Sequence, residues 1–204
     1  PAFMDHPDLT TPRVHATPLN LPVTMGGRIT SLSICLVDVE TSAGITGTGM
    51  TAITEEEVVA SIVNDVAAHA LVGRDPMRHE QLWDRLYWLL TPRGQSGYAS
   101  HAIAAIDLAL WDIKGKVLGQ PVSVLLGGRW RESVRAYATG SFKRDGVDRV
   151  SDNAQEMAQR RAEGFHACKI KIGFGLAEDL AVIRAVREAI GSDMRLMIDA
   201  NHGY

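Results

Sequence analysis

From residue 14 the chain alternates apolar and polar side chains in short extended runs, broken at Gly26-Gly27 and again at residues 41–44. Alternation with a period of two marks strands that bury one face. Residues 14–53 are therefore predicted to form a three-stranded antiparallel meander, the third strand (ITGTGM, 45–50) weakened by its glycines. The pattern then changes to a helical period. Thr54 offers a capping hydroxyl, and Glu55, Glu56 and Glu57 oppose the positive end of the helix dipole. Val58, Ile62, Val66 and Ala70 supply the apolar stripe of that helix. Asp75-Pro76 opens a second helix with Leu82, Leu86 and Leu89 on one face. Residues 98–118 form a long alanine-rich run. Small side chains at Ala102, Ala105 and Ala109 permit close approach, which predicts a helix buried in the middle of its domain. Asp107, Asp112 and His101 on this helix are expected to be structural rather than metal ligands, the acids paired or solvated and the histidine packed or capping.

After Leu125-Leu126-Gly127-Gly128 the rhythm becomes strictly alternating. Residues 134–139 read as a strand, 147–163 as a helix, 166–172 as a strand, 176–190 as a helix and 196–201 as a strand. Leu176, Leu180, Ile183, Val186 and Ile190 form the predicted stripe of the second helix. Apolar, β-branched strands separated by helices imply a parallel sheet covered by helices. An open doubly wound sheet and the start of a (β/α) barrel both fit. No G-x-G-x-x-G follows the first strand, which disfavours a dinucleotide fold. A barrel takes about 250 residues, so the segment is expected to supply three strands and to leave an apolar edge for other strands to cover. The expected organisation is an α+β N-terminal domain over residues 1–128 and an incomplete barrel domain over 129–204.

Composition narrows the class without naming it. The chain is 46% hydrophobic and 22% charged, with a formal net charge of -3, and its basic residues are not clustered. A nucleic-acid partner is not expected. No apolar run approaches the roughly 20 residues of a membrane span, and no signal-peptide pattern is seen, so no membrane association and a cytoplasmic location are expected. Cys35 and Cys168 lie far apart inside apolar runs, as buried free thiols do.

The chemistry gathers at the end of the chain. In HACKIKIGF, Lys169 and Lys171 are two apart and project to the same side of a strand. In RLMIDANHGY, Asp199 and Asn201 repeat the arrangement with a carboxylate and an amide. Of the flanking histidines, His166 is expected at the strand's start, in a structural role away from the active face, and His202 lies just beyond Asn201. The C-terminal ends of such strands are the active face of either architecture.

The ordered set comprises the meander and helical cap, AIDLALWDIKGK at 105–116, LLGG, then KIK and DAN on successive strands. It resembles the enolase superfamily, and within it the mandelate racemase and muconate lactonizing enzyme family. The resemblance implies an α+β capping domain followed by a TIM-type (β/α)7β barrel. It implies that Lys171 is the general base removing a proton α to a substrate carboxylate, with Lys169 as its partner at that carboxylate. Asp199 matches the first of three carboxylate ligands of a Mg²⁺ ion. Asn201 and Thr139 match residues lining the substrate, and segments 17–30 and 47–54 match two loops that close over the site. The remaining ligands and an opposing His–Asp pair belong to later strands. The 204 residues by themselves are therefore expected to be inactive. A homo-oligomer, dimer or octamer, is implied as well.

The physics of the reaction agrees with those roles. Removing a proton next to a carboxylate places a second negative charge on its oxygens, which a divalent cation stabilises. A lysine base must be neutral near pH 7, and a second ammonium two residues away disfavours its protonation. Enolase-superfamily sites use a Lys or His base with Mg²⁺. The resemblance implies dehydration of a sugar acid as the first expectation, and Thr24, Arg28, Thr48 and Thr51 agree with it by suggesting a polar lining. Racemisation or epimerisation, or cycloisomerisation, at the same site is the second. A non-catalytic assembly subunit is the third, from another class.

Overall fold

A computed structural model describes residues 9–25, 28–52, 55–93, 96–144, 146–201 and 203. Three strands, β1 (Arg13–Met25), β2 (Arg28–Glu40) and β3 (Thr46–Ala52), form a sheet in that order. The β2–β3 pairing is antiparallel, with Leu36 opposite Met50 and Val39 opposite Gly47. Cys35, Val37 and Val39 are fully buried, so alternate positions of β2 face the core as the pattern predicts.

The helices follow as α1 (Glu56–Ser61), a π-helical turn (Ile62–Ala67), α2 (Ala68–Leu71), α3 (His79–Leu90), α4 (Tyr98–Leu118) and α5 (Val122–Leu125). Helix α4 has the predicted bounds and stops at Gly119, whose φ of 61° is the left-handed conformation that ends helices. Ala102, Ala105 and Ala109 are fully buried, and Ala105 and Ala109 lie against β3. A Cβ at Gly47 would meet Ala109 O at 2.1 Å, and one at Gly49 would meet Ala105 O at 1.9 Å. The sequence reads these glycines as a weakness in β3; the structure gives them a packing role, since they let a helix backbone lie directly on a strand backbone. Asp112 and Lys116 then hydrogen-bond the free edge of β3. The Asp112 carboxylate accepts from Thr48 N at 2.9 Å, and Lys116 donates to Thr46 O at 2.7 Å. Such cover satisfies an otherwise open edge, and Asp112 is structural as expected. His101 is exposed rather than packed.

The predicted stripe of the first helix is displaced by one residue. Val58 and Val66 are each 41% exposed, whereas Val59, Val63 and Ala67 are fully buried. Asn64 fixes this rotation by exchanging two hydrogen bonds with the backbone of Ala16 in β1, at 2.7 and 3.0 Å. The capping role assigned to Thr54 lies outside the described residues. Segment 47–54 is not a loop at its start, because β3 runs to Ala52, and 17–30 lies largely within β1 and β2. Thr48 donates its hydroxyl to Asp38 at 2.6 Å and Thr51 is buried, while the side chains of Thr24 and Arg28 lie outside the described residues.

A second sheet is parallel, in the order β4 (Ala138–Gly140), β5 (Ala167–Lys171) and β6 (Arg195–Asp199). Helices α6 (Arg149–Ala162) and α7 (Leu176–Ile190) connect the strands. The first of these strands is shorter than predicted, with Val134 82% exposed. Asp148 caps α6 by accepting from Val150 N and Ser151 N. Ala138, Cys168 and Ile170 face the helices and pack with Met157, Val182, Val186 and Ile190 in a second core. The predicted stripe holds at Val186 and Ile190, which are fully buried, and fails at its start. Leu176 and Leu180 are exposed, and the buried line is Asp179, Val182, Val186 and Ile190. Apart from the tip of the first hairpin, the chain divides into compact units ending at Trp130 and beginning at Arg131, each with its own core. No helix among the described residues is long and apolar enough to cross a membrane. Cys35 and Cys168 are free and fully buried.

Candidate active site

The parallel register builds the site. Thr139 lies opposite Lys169, Lys169 opposite Met197, and Lys171 opposite Asp199. Register partners in a parallel sheet share a face, so Thr139, Lys169, Lys171 and Asp199 lie on the side away from the helices. Lys171 Nζ donates to Asp199 Oδ2 at 2.7 Å and to Asn201 Oδ1 at 2.7 Å. Lys169 Nζ lies 3.0 Å from the same Oδ2 and 5.9 Å from the ring centroid of Tyr137. Asn201 holds a φ of 48°, a left-handed conformation that asparagine tolerates, and its N–H donates to Asp199 Oδ1 at 2.9 Å. Two cations and the backbone N–H of Asn201 thus converge on one carboxylate, while the Asn201 side-chain oxygen accepts from Lys171.

That convergence fixes the charge state of the acid. The hydrogen bond from Lys171, then that from Asn201 N–H, then that from Lys169, hold the Asp199 carboxyl well below the usual carboxylate range. Lys169 is raised, chiefly by its bond to Asp199. Asp199 offers a hard oxygen of the kind Mg²⁺ takes, but such sites draw several oxygen ligands. Among the described residues no three His, Cys, Asp or Glu side chains come together. These residues therefore fit one ligand's share of a metal site and no more.

Other sequence expectations fall on either side of this cluster. His166 is exposed at the start of β5, away from the lysine ends, as expected. His202 lies outside the described residues. Thr139 is exposed beside Lys169 by register. A cavity of about 700 Å³ opens among Arg135, Tyr137, His166, Arg195 and Met197. It lies toward the strand starts, opposite the end where such folds place chemistry.

One group of residues the sequence did not single out supports the end of β5. Arg149 Nη2 donates to the carbonyl of Lys171 at 3.1 Å, and Arg149 Nη1 lies 3.2 Å from Glu178 and 3.6 Å from Asp179. Asp179 Oδ2 accepts from Gly173 N at 2.8 Å and Phe174 N at 3.1 Å. The available signal was an acid in line with Val182, Val186 and Ile190, at the head of a buried stripe. Nearby, Ser141 is fully buried with a φ of 67°, its N–H donating to Glu156 at 3.0 Å.

Comparison with known proteins follows the same division. Residues 9–127 match the model of the mandelate racemase / muconate lactonizing enzyme N-terminal domain, and residues 152–204 that of the enolase C-terminal domain-like family. The chain is 72% identical over 134 residues to D-galactarolactone cycloisomerase of Agrobacterium fabrum, covering 66% of this chain and 35% of that protein. It is 34% identical to arabinonate dehydratase of Saccharolobus solfataricus, over 85% of this chain and 46% of that protein. A racemase from Streptomyces coelicolor A3(2), solved with bound magnesium, superposes with a TM-score of 0.83 at 31% identity, covering 95% of this chain and 56% of that one. The chain thus spans about half or less of the length of the curated relatives it matches.

Proposed function

This chain belongs to the mandelate racemase and muconate lactonizing enzyme family of the enolase superfamily, and we propose that Lys171 removes the proton α to the carboxylate of a sugar acid, after which an oxygen on the β carbon leaves. The observation that carries this reading is the placement of Lys169 and Lys171 at 3.0 and 2.7 Å from one oxygen of Asp199 on the neighbouring strand. Lys171, a cation beside Asp199 in this arrangement, first gives up a proton; its free amine then takes the α proton, and the C–H electron pair moves onto the carboxylate as an enediolate. The pair then returns to form the Cα–Cβ double bond as the Cβ–O bond breaks, and the departing oxygen takes up a proton. Lys169 holds the substrate carboxylate, and Asn201 and Thr139 line the substrate beside it. Asp199 would contribute one oxygen to a Mg²⁺ ion, whose charge stabilises the enediolate when bound.

Loss of water from the β carbon gives a dehydratase. Loss of a ring oxygen opens a lactone instead, and the 72% identity to a D-galactarolactone cycloisomerase favours that outcome. The two differ only in which oxygen departs. The 204 residues alone are proposed to be inactive, because they bring one carboxylate to the metal.

The test uses the protein as its gene encodes it, with Mg²⁺, in D₂O, on D-galactarolactone, galactarate and D-galactonate. Wild type is expected to form a 2-keto product, with Lys171→Ala slower by roughly 10²–10⁴, the usual contribution of a general base. Unchanged turnover in that variant would remove Lys171 from the mechanism. Deuterated starting material of both configurations without a keto product would make the enzyme a racemase. Turnover by the purified 204-residue chain would overturn its proposed inactivity.

A further inference from the structure

We propose that Arg149 and Asp179 are positioning residues that hold the end of β5, and with it Lys171, in register with Asp199. Neither side chain faces the substrate side of the sheet. Arg149 is 5% exposed and Asp179 3%. A buried pair of opposite charges is a poor source of net stability, because removing both charges from water offsets most of their attraction. What this pair supplies is direction.

The planar guanidinium reaches two ways at once. One nitrogen donates to the Lys171 carbonyl at 3.1 Å, while the other lies 3.2 Å from Glu178 and 3.6 Å from Asp179. The Arg149 guanidinium carbon sits 4.0 Å from the Phe174 ring centroid, closing the arrangement from the side. Asp179 in turn accepts from the amides of Gly173 and Phe174. Between these anchors, Ile172 N donates to Asp199 O at 3.0 Å. The backbone from 171 to 174 is therefore tied at one polar group in each of four successive residues, across a left-handed Gly173 with φ of 99°.

The same bracket reaches the acid side of the cluster. A Cβ at Gly173 would meet Ala200 O at 3.0 Å, and one at Gly203 would meet the Gly173 Cα at 2.7 Å. The turns after β5 and β6 thus touch backbone to backbone. Moving the first moves the second, and with it the spacing between Lys171 and Asp199.

The inference rests on Lys171 being the base, so its test has one readout that does not. Arg149→Met combined with Asp179→Asn removes both charges together and keeps an oxygen for the Gly173 and Phe174 amides. Arg149→Lys, which retains the charge but loses the fork, is the second variant should the first not fold. In either, hydrogen exchange at residues 172–174 is expected to speed up about tenfold or more, with exchange elsewhere in the two sheets unchanged. In the protein as its gene encodes it, acting on D-galactarolactone, kcat per folded molecule is expected to fall roughly 10²-fold with KM within about threefold, as misplacement near 1 Å produces. A folded variant with wild-type exchange at 172–174 and wild-type kcat overturns the proposal. If Lys171→Ala retains turnover, the assignment of the base fails, and the exchange at 172–174 then judges the bracket by itself.

Discussion

Replacing Gly49 with alanine tests the closest packing in the first unit. An ideal Cβ there lies 1.9 Å from Ala105 O and 2.8 Å from Ala109 N. Carbon in comfortable contact needs about 3.5 Å, so α4 must retreat by roughly 1.5 Å, or β3 must. Both obstructing atoms are backbone, and no rotamer change can relieve them. Overpacking ordinarily costs about 1–3 kcal/mol, and a purely backbone collision belongs at the top of that range, near 3 kcal/mol. For a protein of this size each kcal/mol moves the midpoint by about 2–4 °C. Thermal unfolding followed by circular dichroism should therefore show a midpoint lower by roughly 6–12 °C. Gly44→Ala is the control: a Cβ there meets nothing within 4 Å, and only its φ of 77° resists substitution, at about 1–2 kcal/mol. If Gly49→Ala melts within about 2 °C of wild type, or no lower than Gly44→Ala, the direct seating of α4 on β3 is refuted.

Two further outcomes follow from burial. Burial raises Asp107, against a smaller opposing pull from His79, so its charged form is disfavoured in the fold. Stability is then full below the unfolded value near 3.9 and is lost as pH rises through the higher folded value. Asp107→Asn should raise the melting midpoint at pH 7 and leave it unchanged at pH 3; equal shifts at both would contradict this. Burial, the leading cause in both thiols, raises Cys35 and Cys168. A chromogenic disulfide reagent should label neither until denaturant is added, and rapid labelling of the native protein would show that one core is open.

The site was more legible than the helices that carry it. A two-residue spacing on a strand has one outcome, so KIK placed its two ammonium groups on one face; DAN did not follow it, because β6 ends at Asp199 and Asn201 turns with a φ of 48°. Helix faces are different. Between residues 56 and 71 two adjacent stripes, one from Val58 and one from Val59, are both apolar at every fourth position. Bulk does not separate them, since each holds two valines, an alanine and one four-carbon side chain, Ile62 or Leu71, and Asn64 bonding to Ala16 decides for the second. On α7 the buried line begins with an acid, which apolar counting discards. The glycines of β3 mislead in the same way, since a close backbone approach is a property of the partner helix. What the sequence alone could not supply was the tertiary contact in each case.

The sharing of one carboxylate by two ammonium groups has a kinetic consequence. Two lysines against one aspartate leave a formal surplus of one positive charge at the strand ends, in a chain whose overall formal charge is -3. An anion approaching this protein is weakly repelled at long range and drawn in only near that cluster. The attraction reaches about 10 Å at 0.1 M salt and about 3 Å at 1 M. Encounter with a carboxylate should therefore slow as salt is added, through the association step rather than through any rearrangement of the strands.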